Sequence, residues 1–216
     1  MTIDPAARCR RLARTLLLSI AAILTLAGSA AAHHPTGKRM PATFLDGFLS
    51  GIGHPVIGPD HLAFIVAIGI ASALVPAGAA LVAAFIATST AGVLIHASRL
   101  DVPLTEPLIA ASVVVAGALI AFSRRGAGPA WLALAAVAGL FHGYAFGETV
   151  VGAERGVIGA YLVGLALVAS LIALAAGRLT PTLLAGAEAA SPRLRTAGAV
   201  VGCIGLVMFA GNFITG

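Results

Sequence analysis

Residues 51–62 of the chain read GIGHPVIGPDHL, and this stretch interrupts a segment that is otherwise apolar. Proline and glycine disturb a regular helix, so Pro55, Gly58 and Pro59 predict a break in the helix at this point. Broken backbone at membrane depth persists only where protein or a cavity surrounds it. Transporters use such breaks to present carbonyls and side chains to ions. We therefore expect a broken transmembrane helix whose interruption borders a binding site.

The composition places most of the chain in lipid. Of its 216 residues 59% are hydrophobic and only 10% are charged, whereas a soluble domain carries about 25% charged residues. A helix needs ~20 residues to cross ~30 Å of hydrocarbon. The expected fold class is therefore all-α, a polytopic membrane helix bundle of about six transmembrane helices with the first helix broken. The six segments are roughly 44–75, 78–98, 104–123, 129–150, 155–177 and 196–215.

Residues 1–32 are typical of a cleavable signal peptide. Several arginines precede a short apolar run at 15–28, and three alanines at 30–32 provide a small-residue cleavage site. The alternative is an uncleaved first helix. Cleavage would leave a single transmembrane helical domain at 33–216 in a bacterial inner membrane, with its mature N-terminus in the periplasm. Most arginines of the later loops then face the cytoplasm, as the positive-inside rule expects.

Several functional classes are excluded. The only lysine, Lys38, is followed by Arg39, so this chain has no ATP site of the P-loop type. Any transport must be passive, ion-coupled or powered by another subunit. The net charge of +5 depends largely on the N-terminal arginines and does not indicate a nucleic-acid partner. Besides the lipid bilayer, a homo-oligomeric partner remains open.

Ionisable residues within the apolar segments are few, and they occur in two places. His54, Asp60 and His61 lie on or beside the predicted break, with Asp60 where a helix N-cap would be. His142 and Glu148 lie near the end of the fourth segment. An ionisable side chain in mid-membrane costs roughly 2.5–3.5 kcal/mol on insertion scales, so each is a functional candidate.

The second of these places also contains a stripe of small residues. Gly139, Gly143 and Gly147 are spaced four apart, which would let another helix approach closely beside His142. His142 and Glu148 are six apart and fall on different faces of an ideal helix. Either the glycines let the helix unwind and bring the two together, or the two residues serve separate sites.

With alternating crossings, all these residues fall near the periplasmic side, which predicts one site there. Three imidazoles with two carboxylates suit a borderline divalent cation such as Ni, Co, Cu or Zn. His96 ends the second segment on the same side and is a possible secondary ligand, although a packing role explains it as well. His33 and His34 would open the mature chain beside a free amine, an end that can bind Ni or Cu or can simply be left by processing.

Two motifs resemble the signatures of the HupE/UreJ family of hydrogenase and urease accessory membrane proteins. Residues 54–61 match H-P-x-x-G-x-D-H, and residues 141–148 match F-H-G-x-A-x-G-x-E. Pro59 departs from the family pattern, where an ordinary apolar residue is expected, but it removes no ligand. The family is regarded as secondary nickel permeases, with some members assigned to cobalt. The residues that would handle the metal by this resemblance are His54, Asp60, His61, His142 and Glu148.

The leading interpretation is a permease, not an enzyme, that takes up Ni²⁺ or Co²⁺ to supply maturation of a metalloenzyme such as hydrogenase or urease. The ion is cargo, and no permanently bound cofactor is expected. One alternative is a membrane-embedded zinc hydrolase, which needs three protein ligands, an open position for water and a general base. Another is an accessory protein that binds metal without transporting it.

Overall fold

The computed structural model describes residues 40–122, 127–184 and 192–214, and over these residues all regular structure is helical. The expected signal peptide at 1–32, together with His33 and His34, lies outside the described residues. A 3₁₀ turn at Glu148–Val150 follows the helix that ends at Gly147. The α-helices are α1 (Phe44–Ile57), α2 (Pro59–Leu74), α3 (Gly78–Ala97), α4 (Thr105–Phe122), α5 (Gly128–Gly147), α6 (Arg155–Leu184) and α7 (Pro192–Ile214).

The helices confirm a polytopic all-α bundle with a broken first helix. In the described chain, α3 to α7 are each long and apolar enough to cross a membrane, and α1 and α2 qualify only as a pair bent by 82°. Such a pair is either one broken crossing or a loop that re-enters on the same side. The way the pair packs on α6 separates these two possibilities.

α1 and α2 advance in the same direction along α6. A Cβ added at Gly47 would meet Val157, one at Gly51 would meet Tyr161, and one at Gly69 would meet Ala173. From Val157 to Ala173 is about 24 Å along the helix, at 1.5 Å per residue. The pair therefore traverses most of the bilayer beside α6, as a single broken crossing does.

The other close helix pairs fit the same alternation. Gly143 of α5 lies against Ser89 of α3, and Gly147 lies one turn further on against Val93. These two helices are thus parallel, as the second and fourth crossings of an alternating chain must be. In contrast, α4 and α7 are antiparallel, because Gly117 meets Gly198 and Gly202 while Gly205 meets Val114 and Ala110.

The break itself is built from one extended residue. Gly58 has φ −81° and ψ 114°, and it is both the last cap of α1 and the first cap of α2. Pro59 then occupies the first position of α2, where the missing N–H is no loss because that group has no partner within the helix. The prediction that Asp60 is the N-cap is wrong, since the chain bends one residue before the proline and Asp60 follows it.

The sixth helix is longer than expected. α6 continues to Leu184 instead of ending near 177, and it contains Pro181. The Thr180 hydroxyl donates to the Ala176 carbonyl at 2.8 Å, a local bond that threonine commonly forms within a helix; the carbonyl that loses its N–H partner to Pro181 is that of Gly177. α7 begins at Pro192, so the connection between the last two helices is shorter than the sequence indicates.

Candidate functional site

Three buried imidazoles from three helices lie in contact at the helix break. His54 lies in the last turn of α1, His61 lies in the first turn of α2, and His142 lies in α5. Their exposed fractions are 3%, 5% and 0%. The ring centroids of His54 and His61 are 6.1 Å apart, and those of His61 and His142 are 5.0 Å apart. The Nδ1 atoms of His61 and His142 are separated by 2.8 Å. We call these three residues the histidine cluster.

Aromatic rings enclose the histidine cluster. Phe146 contacts both His54 and His61, with ring centroids 5.2 Å and 4.4 Å apart. Phe64 stacks on His142 at 4.5 Å. His142 and Phe146 are four residues apart and therefore lie on one face of α5. These contacts restrict rotation of the imidazoles and keep the cluster in an apolar environment.

Hydroxyl groups contact one ring nitrogen each of His142 and His54, the two outer members of the histidine cluster. The Ser112 Oγ of α4 lies 3.0 Å from His142 Nε2. At the opposite end of the cluster, the Tyr161 hydroxyl of α6 lies 2.8 Å from His54 Nδ1, and Thr149 Oγ1 lies 3.0 Å from the same nitrogen. Sequence reasoning missed these hydroxyls because they belong to no motif, and serine and threonine in apolar helices commonly bond only to their own backbone.

Of the two predicted carboxylates, the structure brings only one to the cluster. Asp60 is 4% exposed, and its Oδ1 accepts the backbone N–H of His61 at 2.8 Å. Glu148 follows α5 in the 3₁₀ turn and its side chain is exposed. The structure therefore places the Glu148 carboxylate outside the buried part of the site.

His96 lies apart from the histidine cluster. Its ring stacks on that of Tyr144 with centroids 4.0 Å apart and planes at 10°. Its Nδ1 lies 2.6 Å from the Tyr144 carbonyl oxygen, and the Tyr144 hydroxyl donates to the Leu100 carbonyl at 2.9 Å. His96 thus joins the end of α3 to α5 and to the following loop.

Small residues let α3 approach α5 beside His142. A Cβ at Gly139 would meet the Thr88 hydroxyl, one at Gly143 the backbone of Ser89, and one at Gly147 the Cβ of His96. Any larger residue on this stripe would push α5 away from α3. The stripe thus fixes the position of α5, and with it that of His142.

The spacing of the two facing nitrogens is compatible with a proton or a metal ion between them. A separation of 2.8 Å is that of an ordinary hydrogen bond. With metal–nitrogen bonds of roughly 2.0–2.1 Å, two ligands at right angles lie about 2.9 Å apart and two tetrahedral ligands about 3.3 Å apart. As the side chains stand, no group of three His, Cys, Asp or Glu residues in the described ranges has a geometry that could hold a metal ion. A third ligand would require a side chain to move.

A cavity elsewhere in the bundle offers no such donors. It has a volume of about 580 Å³ and lies between α2, α3 and α6, with Ser72 and Ser170 among mostly apolar residues. No imidazole or carboxylate is among its lining residues.

Comparison with known proteins gives two matches of different extent. The family model described as HupE / UreJ protein matches residues 21–208 of this chain. Protein HupE of Rhizobium leguminosarum bv. viciae is 30% identical over 104 residues, which are 47% of this chain and 54% of that protein. The match thus spans about half the length of this curated relative. No solved structure matches the chain. Because the family match covers both histidine-bearing segments and most of the sequence, the chain belongs to the HupE/UreJ family.

Proposed function

We propose that this protein is a permease that carries Ni²⁺ or Co²⁺ inward across a bacterial inner membrane, with the histidine cluster and Asp60 as the binding site. The family is associated with nickel or cobalt supply to hydrogenase and urease. The single observation that carries the proposal is a buried carboxylate, that of Asp60, next to the histidine cluster and paired with no lysine or arginine among the described residues.

The charge of Asp60 requires compensation. A buried carboxylate without a paired charge or several hydrogen bonds is costly. Within the described residues Asp60 accepts one hydrogen bond, from the His61 N–H, and pairs with no lysine or arginine. A divalent cation bound by the adjacent imidazoles would provide the missing charge.

The donor chemistry favours a borderline transition metal. Imidazole nitrogens suit Ni, Co, Cu and Zn, whereas Mg and Ca prefer oxygen ligands. The Nδ1 atoms of His61 and His142 face each other at 2.8 Å, so a cation that displaces the proton between them would have two imidazole ligands.

The charges of the described residues would draw a cation toward one end of the bundle. Carboxylates outnumber arginines where α5 ends and α6 begins, the end nearest the histidine cluster, which also carries Arg99 and Arg155; the charged side chains described at the opposite end are arginines. A field of this sign raises the local concentration of cations. The carboxylates are Asp46, Asp60, Asp101, Glu106, Glu148 and Glu154, and the arginines at the opposite end are Arg178, Arg193 and Arg195.

The proposal is tested by uptake of ⁶³Ni in cells that lack other nickel importers. His54→Ala, His142→Ala and Asp60→Asn should each abolish accumulation at low external nickel. Ser89→Ala is a matched control, because this buried hydroxyl has no hydrogen-bond partner among the described residues and should leave uptake unchanged. Normal accumulation in the three site variants would reject the proposal.

A flux assay separates a permease from the two alternatives. Purified protein in liposomes should admit Ni²⁺ or Co²⁺, and the Asp60→Asn variant should not. Tight metal binding without flux would instead indicate a non-transporting accessory protein. Hydrolysis of a lipid amide that is lost in His142→Ala would favour the zinc hydrolase.

A further inference from the structure

The Ser112 hydroxyl donates its hydrogen bond to a backbone carbonyl of its own helix. The Ser112 Oγ lies 2.7 Å from the carbonyl oxygen of Ile109. Two oxygens at this distance need a proton between them, and a carbonyl has none to give. The hydroxyl therefore donates to Ile109. Toward His142 Nε2, at 3.0 Å, the same oxygen can only accept, so that nitrogen carries the hydrogen.

The Tyr161 hydroxyl is constrained in the same way. It donates to the Phe146 carbonyl at 2.7 Å and lies 2.8 Å from His54 Nδ1. With its proton directed to Phe146, the phenol oxygen accepts from His54, which is then protonated at Nδ1. Thr149 Oγ1, 3.0 Å from this nitrogen, is a second acceptor for the same N–H.

We propose that Ser112 and Tyr161 are positioning residues that fix the tautomers of His142 and His54, leaving the lone pairs on His142 Nδ1 and His54 Nε2 for a divalent cation. This inference rests on the proposed cation site. Hydrogen bonds to the non-ligating nitrogen of a histidine set its tautomer and orientation and raise its basicity as a ligand.

The assignment extends to the third imidazole. Because His142 Nδ1 carries no hydrogen, the proton that its 2.8 Å contact with His61 Nδ1 requires belongs to His61. His142 therefore already directs an Nδ1 lone pair at His61, and His61 is the ring whose proton must move from Nδ1 to Nε2 when a cation binds between the two Nδ1 atoms. The two hydroxyls thus assign this change of tautomer to the residue next to the helix break.

The first measurement is made on metal-free protein. In ¹⁵N-histidine NMR of the purified chain in micelles, assigned with His142→Gln and His54→Gln, we expect His142 as the Nε2–H tautomer and His54 as the Nδ1–H tautomer. Ser112→Ala should convert His142 to a mixture of tautomers, and Ser112→Thr, which keeps the hydroxyl, should restore the single form. Ser89→Ala is the matched control and should change neither.

The second measurement is the affinity for Co²⁺ by titration of the same samples. Loss of an outer-shell partner typically costs 10–100-fold in metal affinity, and we expect this loss for Ser112→Ala with recovery in Ser112→Thr. Tyr161→Phe keeps Thr149 as an acceptor and should lose less than the double variant Tyr161→Phe, Thr149→Val. Tyr144→Phe, a hydroxyl loss away from the cluster, should bind as the wild type does.

The outcomes distinguish this inference from the proposed function. Unchanged His142 and His54 tautomers in Ser112→Ala and in the double variant would overturn the inference even if Co²⁺ binds normally. Absence of Co²⁺ binding by the wild type, together with the expected tautomers and their loss in Ser112→Ala, would reject the cation site while the control of the tautomers by the hydroxyls stands.

Discussion

Gly58 shows how closely the helix break and the histidine cluster depend on each other. Its φ of −81° is open to any residue, so the backbone does not demand glycine. The space around it does, because an added Cβ would lie 2.7 Å from Cδ2 of His61 and 3.1 Å from Oδ1 of Asp60. Glycine is therefore needed at position 58 to leave room for His61 and Asp60, and not to allow the bend in the backbone.

Replacing Gly58 should thus impair the site without unfolding the protein. In Gly58→Ala the ring of His61 must rotate away from His142, and we expect a loss of Co²⁺ affinity of about tenfold or more, the range for disturbing the surroundings of a ligand. Titration of purified protein measures this. Gly128→Ala is the control, since nothing lies within 4 Å of a Cβ added there; equal losses in both variants would contradict the argument.

Because Asp60 is buried, its replacement by asparagine should keep or raise stability and at the same time abolish uptake. Asp60→Asn keeps an oxygen that can accept the His61 N–H but removes the uncompensated charge. Because a neutral amide is cheaper to bury than a carboxylate, the metal-free variant should melt at the same or a higher temperature than the wild type. Nickel uptake should nevertheless be lost.

Thermal unfolding in detergent, followed by tryptophan fluorescence, measures the first of these effects. Asp101→Asn is the matched control because Asp101 is exposed. A clear drop in melting temperature for Asp60→Asn alone would mean that the charge is already stabilised in the metal-free protein, which is contrary to the argument for a cation.

The sequence identified the candidate site residues better than it identified the groups around them. His54, His61, His142 and Asp60 stand out because ionisable residues in apolar segments are costly. The exposure of Glu148 was not predictable, since it depends on α5 passing into a 3₁₀ turn just before that residue. Ser112 gives no signal of its own, because its partner lies 30 residues away on another helix.

Among the helices, the close approach of α3 and α5 determines where His142 lies. The Cβ of an alanine at 143 would overlap the backbone of Ser89, whereas one at 159 in α6 would meet nothing within 4 Å. Backbone atoms cannot rotate away as a side chain can, so the first substitution must separate the two helices.

The pair Gly143→Ala and Gly159→Ala isolates this packing effect. Overpacking typically costs about 1–3 kcal/mol, so Gly143→Ala should lower the free energy of unfolding by that amount and also weaken Co²⁺ binding. Gly159→Ala should leave the free energy of unfolding unchanged or raise it by up to about 1 kcal/mol, because alanine has the higher helix propensity. Reversible unfolding of purified protein tests both, and similar stabilities for the two variants would mean that α3 and α5 are not held by the stripe.

The sequence predicted the helices more accurately than their ends. Apolar length alone located the candidate crossings within the described residues, and the Gly-Pro pair located the break, because both effects are local. The extension of α6 to Leu184 was missed. Proline is unfavourable in a helix interior, so the sequence predicted that this helix ends before Pro181.

For the whole molecule, the glycine contacts fix the relative directions of the helices but not which end faces the cytoplasm. The end of α5 and the loop after α3 lie together, because the Tyr144 hydroxyl donates to the Leu100 carbonyl and accepts from the Val102 N–H at 3.1 Å. Arg178 lies near the other end of α6, beyond the contact of that helix with α2. The positive-inside rule predicts that this arginine-bearing end faces the cytoplasm.

This orientation can be measured with single cysteines in a chain whose Cys9 and Cys203 have been replaced by serine. Asp101, Glu148 and Arg178 are exposed, so a cysteine at each should react with a membrane-impermeant maleimide. In intact spheroplasts, Asp101→Cys and Glu148→Cys should be labelled, and Arg178→Cys only after the membrane is permeabilised. Labelling of Asp101→Cys and Glu148→Cys from opposite sides would contradict the fold. The reverse pattern for all three would turn the carboxylate-rich end toward the cytoplasm, where it would draw cations from inside the cell and could not serve uptake.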